Sequence, residues 1–96
     1  MLYCESNHAE RTAVLWDILA EQPGNSARNQ RARILAALHA NGFLTSLECS
    51  RCLGIVHPPK RVHELRQMGI RIATQWSHEP SETGELHRVG LYVRGR

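Results

Sequence analysis

The stretch GIVHPPKRVHELRQMG, from Gly54 to Gly69, constrains the fold of this chain more than any other. Pro58 and Pro59 supply no backbone N–H, a loss tolerated in the first turn of a helix, where those donors have no intrahelical partner anyway. Pro58 also biases His57 away from helical geometry. A helix therefore starts at Pro58, and Gly69 closes it. Past Gly69 the apolar period changes from 3.6 to 2. IRIATQWS places Ile70, Ile72, Thr74 and Trp76 on one face. LHRVGLYVR places Val89, Leu91 and Val93 on one face and Arg88, Tyr92 and Arg94 on the polar one. HEPSETGE between them carries the Pro and Gly of a hairpin loop.

Upstream, three more helices are expected. In SNHAERTAVLWDILAEQPG, Asn7 is placed to cap, Glu10 stands three residues on, Val14, Leu15, Ile18 and Leu19 recur at helical spacing, and Pro23-Gly24 ends the run. Ser26 caps ARNQRARILAALHAN, which Gly42 stops. Thr45 caps the short TSLECSRCLG, with Glu48 at the capping-box position and Gly54 at its end. The first of these helices, residues 1–25, is expected to pack on the main body or to serve as a homodimer contact through Val14, Leu15, Ile18 and Leu19.

Length suits one core: 96 residues make one domain of ordinary size. No apolar run approaches the ~20 residues of a membrane span, and MLYCESNHAE is not a signal peptide. Three cysteines do not make a disulfide framework. A cytoplasmic location is the expectation. The net charge of +3 is unevenly spread. Residues 1–25 hold four acids against Arg11; residues 26–96 hold eleven bases, ten of them arginine, against five glutamates. Arginine's planar fork suits phosphates and guanine edges, so a basic body of this kind makes nucleic acid a reasonable partner. No Gly-rich phosphate loop, nucleophile triad or carboxylate pair stands out, so neither an enzyme nor a cofactor is expected.

Helix, helix, short turn, helix and hairpin give an α+β, mainly α architecture: a three-helix core with a C-terminal β-hairpin wing over residues 26–96, plus an extra N-terminal helix over 1–25. RARILAALHANGFLTSLECSRCLGIVHPPKRVHELRQMGIRI resembles the small winged helix-turn-helix domains common in bacteriophage and prophage genes. The matching residues are Leu44, Thr45, Glu48, Cys49, Leu53, Gly54, Ile55, Pro58, Arg61, Val62, Glu64, Leu65, Arg66 and Gly69. The resemblance covers residues 28–77 well, the second wing strand less well, and the first 25 residues not at all. It implies binding to double-stranded DNA, with roles ranging over regulators, replication factors and excision factors.

Stepping 100° per residue along PPKRVHELRQMG puts Pro58, Val62, Leu65 and Gly69 on the core side. Lys60, His63, Glu64 and Gln67 fall opposite, with Arg61 and Arg66 at the margins. In the major groove, Gln67 would suit adenine and Lys60 or His63 the guanine acceptors. Glu64 would either accept from cytosine or pair with Arg61 one turn back. Arg28, Arg31, Arg61, Arg66, Arg71, Arg88 and Arg94 are the candidates for the DNA backbone. Arg33 joins Arg28 and Arg31 in the first half of its helix, where basic charge opposes the helix dipole. The wing tip is acidic, with Glu79, Glu82 and Glu85, which argues against insertion into the minor groove and leaves a protein partner open.

Cys49, Cys52, His57 and His63 have the composition of a zinc site without its spacing. Only four residues separate Cys52 from His57, where zinc fingers use about a dozen to wrap the metal. Cys49 is better read as the small residue that lets two helices approach. Three functions follow as expectations: a sequence-specific transcriptional regulator of a phage or mobile element; a protein-binding winged helix, such as a phage inhibitor of a host system; and a DNA-binding replication or excision accessory factor.

Overall fold

The structure, a computed structural model, describes residues 5–80 and 84–95, with the side chains of 5–9, 79, 80, 87 and 88 excepted. The described elements run α1 (Glu5–Glu21), α2 (Ala27–Asn41), β1 (Phe43–Thr45), α3 (Ser46–Arg51), α4 (Pro58–Gln67), β2 (Ile72–Pro80) and β3 (Leu86–Arg94). The architecture is α+β and mainly helical, as the element order implied. The strands form one antiparallel sheet in the order β1-β3-β2.

The helix boundaries follow local chemistry. Ser26 Oγ accepts from the Asn29 N–H, and Gly42 N–H donates to the Leu38 carbonyl, so α2 is capped at both ends. In α3 the capping box is complete: Thr45 Oγ1 accepts from Glu48 N–H, and Glu48 Oε1 accepts from Thr45 N–H. That matters because six residues make too few hydrogen bonds to hold a helix without help. α4 starts at Pro58, with Lys60 and Arg61 N–H both donating to the His57 carbonyl. The helix α1 starts at least two residues before Asn7, so Asn7 lies inside it and is not its cap.

One cluster forms the core, built from Leu15 and Ile18 of α1, Ile34, Ala37 and Leu38 of α2, Leu44, Cys49, Leu53, Ile55, Val62, Leu65, Ile72 and Tyr92. Because α1 supplies two members, it is packed on the body. Leu15 and Ile18 are consumed there and cannot form the homodimer contact expected of them; Val14 is half-buried against the same cluster and Leu19 is also partly covered.

The sheet departs from expectation in three ways. β1, three residues long, is too short to show a period, yet it pairs Phe43 with Val93, Leu44 with Tyr92 and Thr45 with Leu91. β2 runs on to Pro80, so its last three residues belong to a strand and not to the loop. Tyr92 is buried instead of exposed. It belongs to the central strand, flanked by Leu44 on one side and Thr74 on the other, and shares the core face with Ile72. Trp76 keeps the expected parity with Ile72 but is 56% exposed. Among the described residues no helix is long and apolar enough to cross a membrane.

Candidate nucleic-acid interface

The turn between α3 and α4 sets the direction of α4. Cys52 N–H and Leu53 N–H both donate to the Glu48 carbonyl, and Ile55 N–H donates to that of Cys49. Gly54 turns the chain at φ +65°, a left-handed geometry that costs a residue with a Cβ but not glycine. Leu53 and Ile55 on either side are buried, so the turn is bolted to the core. Pro58, Val62 and Leu65 bury the inner stripe of α4 against the same core.

With that stripe buried, Lys60, His63 and Gln67 stand exposed on the outer face of α4. None of the three side chains has a hydrogen-bond or ionic partner among the described residues. Glu64, expected beside them, is engaged instead. Its Oε1 accepts from Arg31 Nη1 of α2 at 2.9 Å and lies 3.3 Å from Arg61 Nε. The pairing with Arg61 follows the helical spacing; the pairing with Arg31 joins two helices 33 residues apart in sequence and left no local signal.

The arginines sort into distinct groups. Arg28 and Arg94 are exposed and make no such interaction among the described residues. Arg31 and Arg61 are held by Glu64. Arg66 donates through Nε to the Ile72 carbonyl and through Nη2 to Thr74 Oγ1, which fastens α4 to the base of β2. Arg33, read as part of a surface cluster, is buried at 1% exposure, and its Nη1 donates to the Gln22 and Gly24 carbonyls at 2.7 Å each. It closes the end of α1, and desolvation pulls its pKa down. Arg71 is exposed and has an interaction of its own. The side chain of Arg88 lies outside the described residues, as do that of Glu79 and the whole of Glu82; Glu85 is exposed. Arg51, not among the arginines expected from the sequence to meet the backbone, is exposed in the last turn of α3.

The cysteine and histidine set does not converge. Cys49 is fully buried, and desolvation, with the Glu48 carboxylate next, pushes its thiol up to about 12. Cys52 is half-buried and also raised by burial, whereas His57 and His63 are exposed. Among the described residues no group of three or more His, Cys, Asp or Glu side chains is arranged to hold a metal ion.

Comparison with known proteins agrees with the geometry. The model of a family described as "Winged helix-turn-helix domain" matches residues 29–95. No curated protein and no solved structure matches the chain. The match begins inside α2, so it leaves out α1, and it takes in the whole of β3, where the sequence resemblance was weaker.

Proposed function

Since the chain belongs to the winged helix-turn-helix domain family, we propose that it binds double-stranded DNA with α4 in the major groove and acts as a small regulator of a phage or other mobile element. The observation that carries this reading is the outer face of α4, where Lys60, His63 and Gln67 are exposed, polar and unpartnered on a helix whose opposite stripe is locked into the core. Such a helix presents donors and acceptors to base edges without first breaking contacts of its own. Arg28 and Arg94 are the best-placed phosphate contacts, because they too are exposed without partners among the described residues. The proposed mechanism is occupancy of a site, with no chemical step.

Selection from a random duplex pool, followed by binding of the selected duplex at two salt concentrations, tests this. Lys60→Ala with Gln67→Ala should change which sequences are preferred, while Arg28→Ala should weaken all sequences about equally. A salt-insensitive or absent association at low salt would remove the DNA reading.

A second reading is favoured by exposed apolar side chains on the wing. Trp76 and Leu86 are both exposed, and the strand register puts them on one face. Apolar residues in such a place suit a protein surface. An accessory role in replication or excision would use the same DNA-binding face as a regulator, and differs in the site selected.

A further inference from the structure

Five arginines lie on α2 and α4: Arg28, Arg31, Arg33, Arg61 and Arg66. Four are engaged by the chain itself, two of them by a single carboxylate oxygen of Glu64. We propose that Glu64 limits sequence-independent DNA affinity by withholding Arg31 and Arg61 from phosphates. This rests on the DNA-binding reading above and adds to it a specificity-determining residue that reads no base.

The geometry supports the role in three ways. First, Glu64 stands one turn after the exposed Lys60, on the margin of the outer face that looks toward α2, so its charge lies near any phosphate that Arg31 or Arg61 would meet. Second, all three side chains are largely covered, at 24% for Arg31, 27% for Glu64 and 12% for Arg61, so water screens the pairs less than it would on an open surface. Third, the pairing is between elements: Arg31 on α2 and Glu64 on α4 are each carried by a helix whose inner stripe is buried in the core. Phosphate contacts raise affinity for every sequence alike, whereas base contacts discriminate. Masking two arginines therefore lowers the common term and leaves Lys60, His63 and Gln67 to weigh more heavily in the choice of site.

The test uses the full chain, a random-sequence duplex and the selected duplex, over a range of salt. Glu64→Gln should raise affinity for the random duplex about tenfold at low salt. It should also steepen the dependence of log K on log salt by about 0.9 for each arginine released to a phosphate. The ratio of selected to random affinity should fall. Glu64→Asp, which keeps the charge, should stay close to the unaltered chain. Adding Arg31→Gln to Glu64→Gln should take back about one unit of slope. Weaker binding of both duplexes by a folded Glu64→Gln, with unchanged slope, would show that Glu64 only braces α4, and would overturn the proposal. If Glu64→Gln does not fold, Arg31→Gln alone decides. A masked Arg31 leaves the slope unchanged where Arg28→Gln lowers it by about 0.9; an equal loss from both overturns the proposal. Failure of the unaltered chain to bind either duplex removes the DNA reading and this inference together, so the two failures are told apart.

Discussion

Arg33 sits among surface residues in sequence and inside the protein in space. Its neighbours Arg28 and Arg31 are exposed or half-exposed, and three arginines in the first half of a helix resemble a phosphate patch. The guanidinium instead satisfies two carbonyls that α1 and the following turn leave open, which repays part of its desolvation. Arg33→Met should keep the aliphatic packing and lose both bonds, at a cost of about 2 kcal/mol in urea unfolding. The salt dependence of DNA binding should not change, because a buried cation releases no counterions from DNA. Cys49 gives a second test at this scale. Its thiol is raised from 9.0 to about 12 by burial and by Glu48, so the folded state holds the proton more tightly than the unfolded chain. Its contribution is therefore complete below about pH 9 and lost as pH climbs toward 12. Tyr92 is raised as well, again chiefly by burial, and loses stability in the same direction. Cys49→Ala should flatten the alkaline decline measured by urea unfolding between pH 9 and 12, leaving the part due to Tyr92 and Cys52.

Among the elements, α3 depends most on its surroundings. It has six residues, and one carboxylate serves both its own cap and α1. Glu48 Oε1 takes the Thr45 N–H at 3.0 Å and Arg11 Nη2 at 2.7 Å, while the Arg11 guanidinium lies 3.8 Å above the Phe43 ring. The pair is nearly covered, at 12% and 9% side-chain exposure, so removing one partner strands the other charge. Arg11→Met should cost about 3 kcal/mol. It should also raise amide exchange in both α1 and α3, because the contact joins them; a rise confined to α1 would mean that the capping box holds α3 alone. This contact also shows why the chain was only partly legible in advance. Ser26, Thr45 with Glu48, Pro58 and the stopping glycines are local devices, and each marks an element end within a few residues. The residues that carry the family resemblance, from Leu44 to Gly69, include six of the thirteen core residues, Leu44, Cys49, Leu53, Ile55, Val62 and Leu65, so for that part of the chain fold and resemblance came from the same signal. Arg11 with Glu48, Arg31 with Glu64 and Tyr92 between Leu44 and Thr74 join distant segments and have no such signature. β3 in addition carries apolar residues on both faces, as a central strand does, so alternation assigned Tyr92 to the wrong side. The outward face of α4 was readable because one helix decides it; the availability of its flanking arginines was not, because other elements decide that.

At the scale of the whole molecule the limit is reach. The chain measures 37 × 25 × 24 Å and offers one outward helix of ten residues. At 1.5 Å per residue that helix is about 15 Å long, enough to face about four or five base pairs. A site so short recurs every few hundred base pairs, and a single module of this class buries only about 600–1,000 Å². Four of the five α2 and α4 arginines are already engaged, which leaves Arg28 on those helices for phosphates, with Arg51 and Arg94 outside them. On the proposed DNA-binding reading, a second copy on an adjacent half-site would supply further affinity. Two such copies facing the same side of the duplex need half-sites about 10–10.5 base pairs apart. Any contact between them must use surfaces other than Leu15 and Ile18, which the core consumes; Trp16, 59% exposed on the outer side of α1, is free for that use. The selected duplex should therefore take up two copies in sedimentation, and inserting five base pairs between its half-sites should weaken binding at least tenfold by placing the copies on opposite sides of the helix. Equal affinity for a single half-site and for the pair would mean that one copy suffices, and that the wing supplies contacts α4 does not.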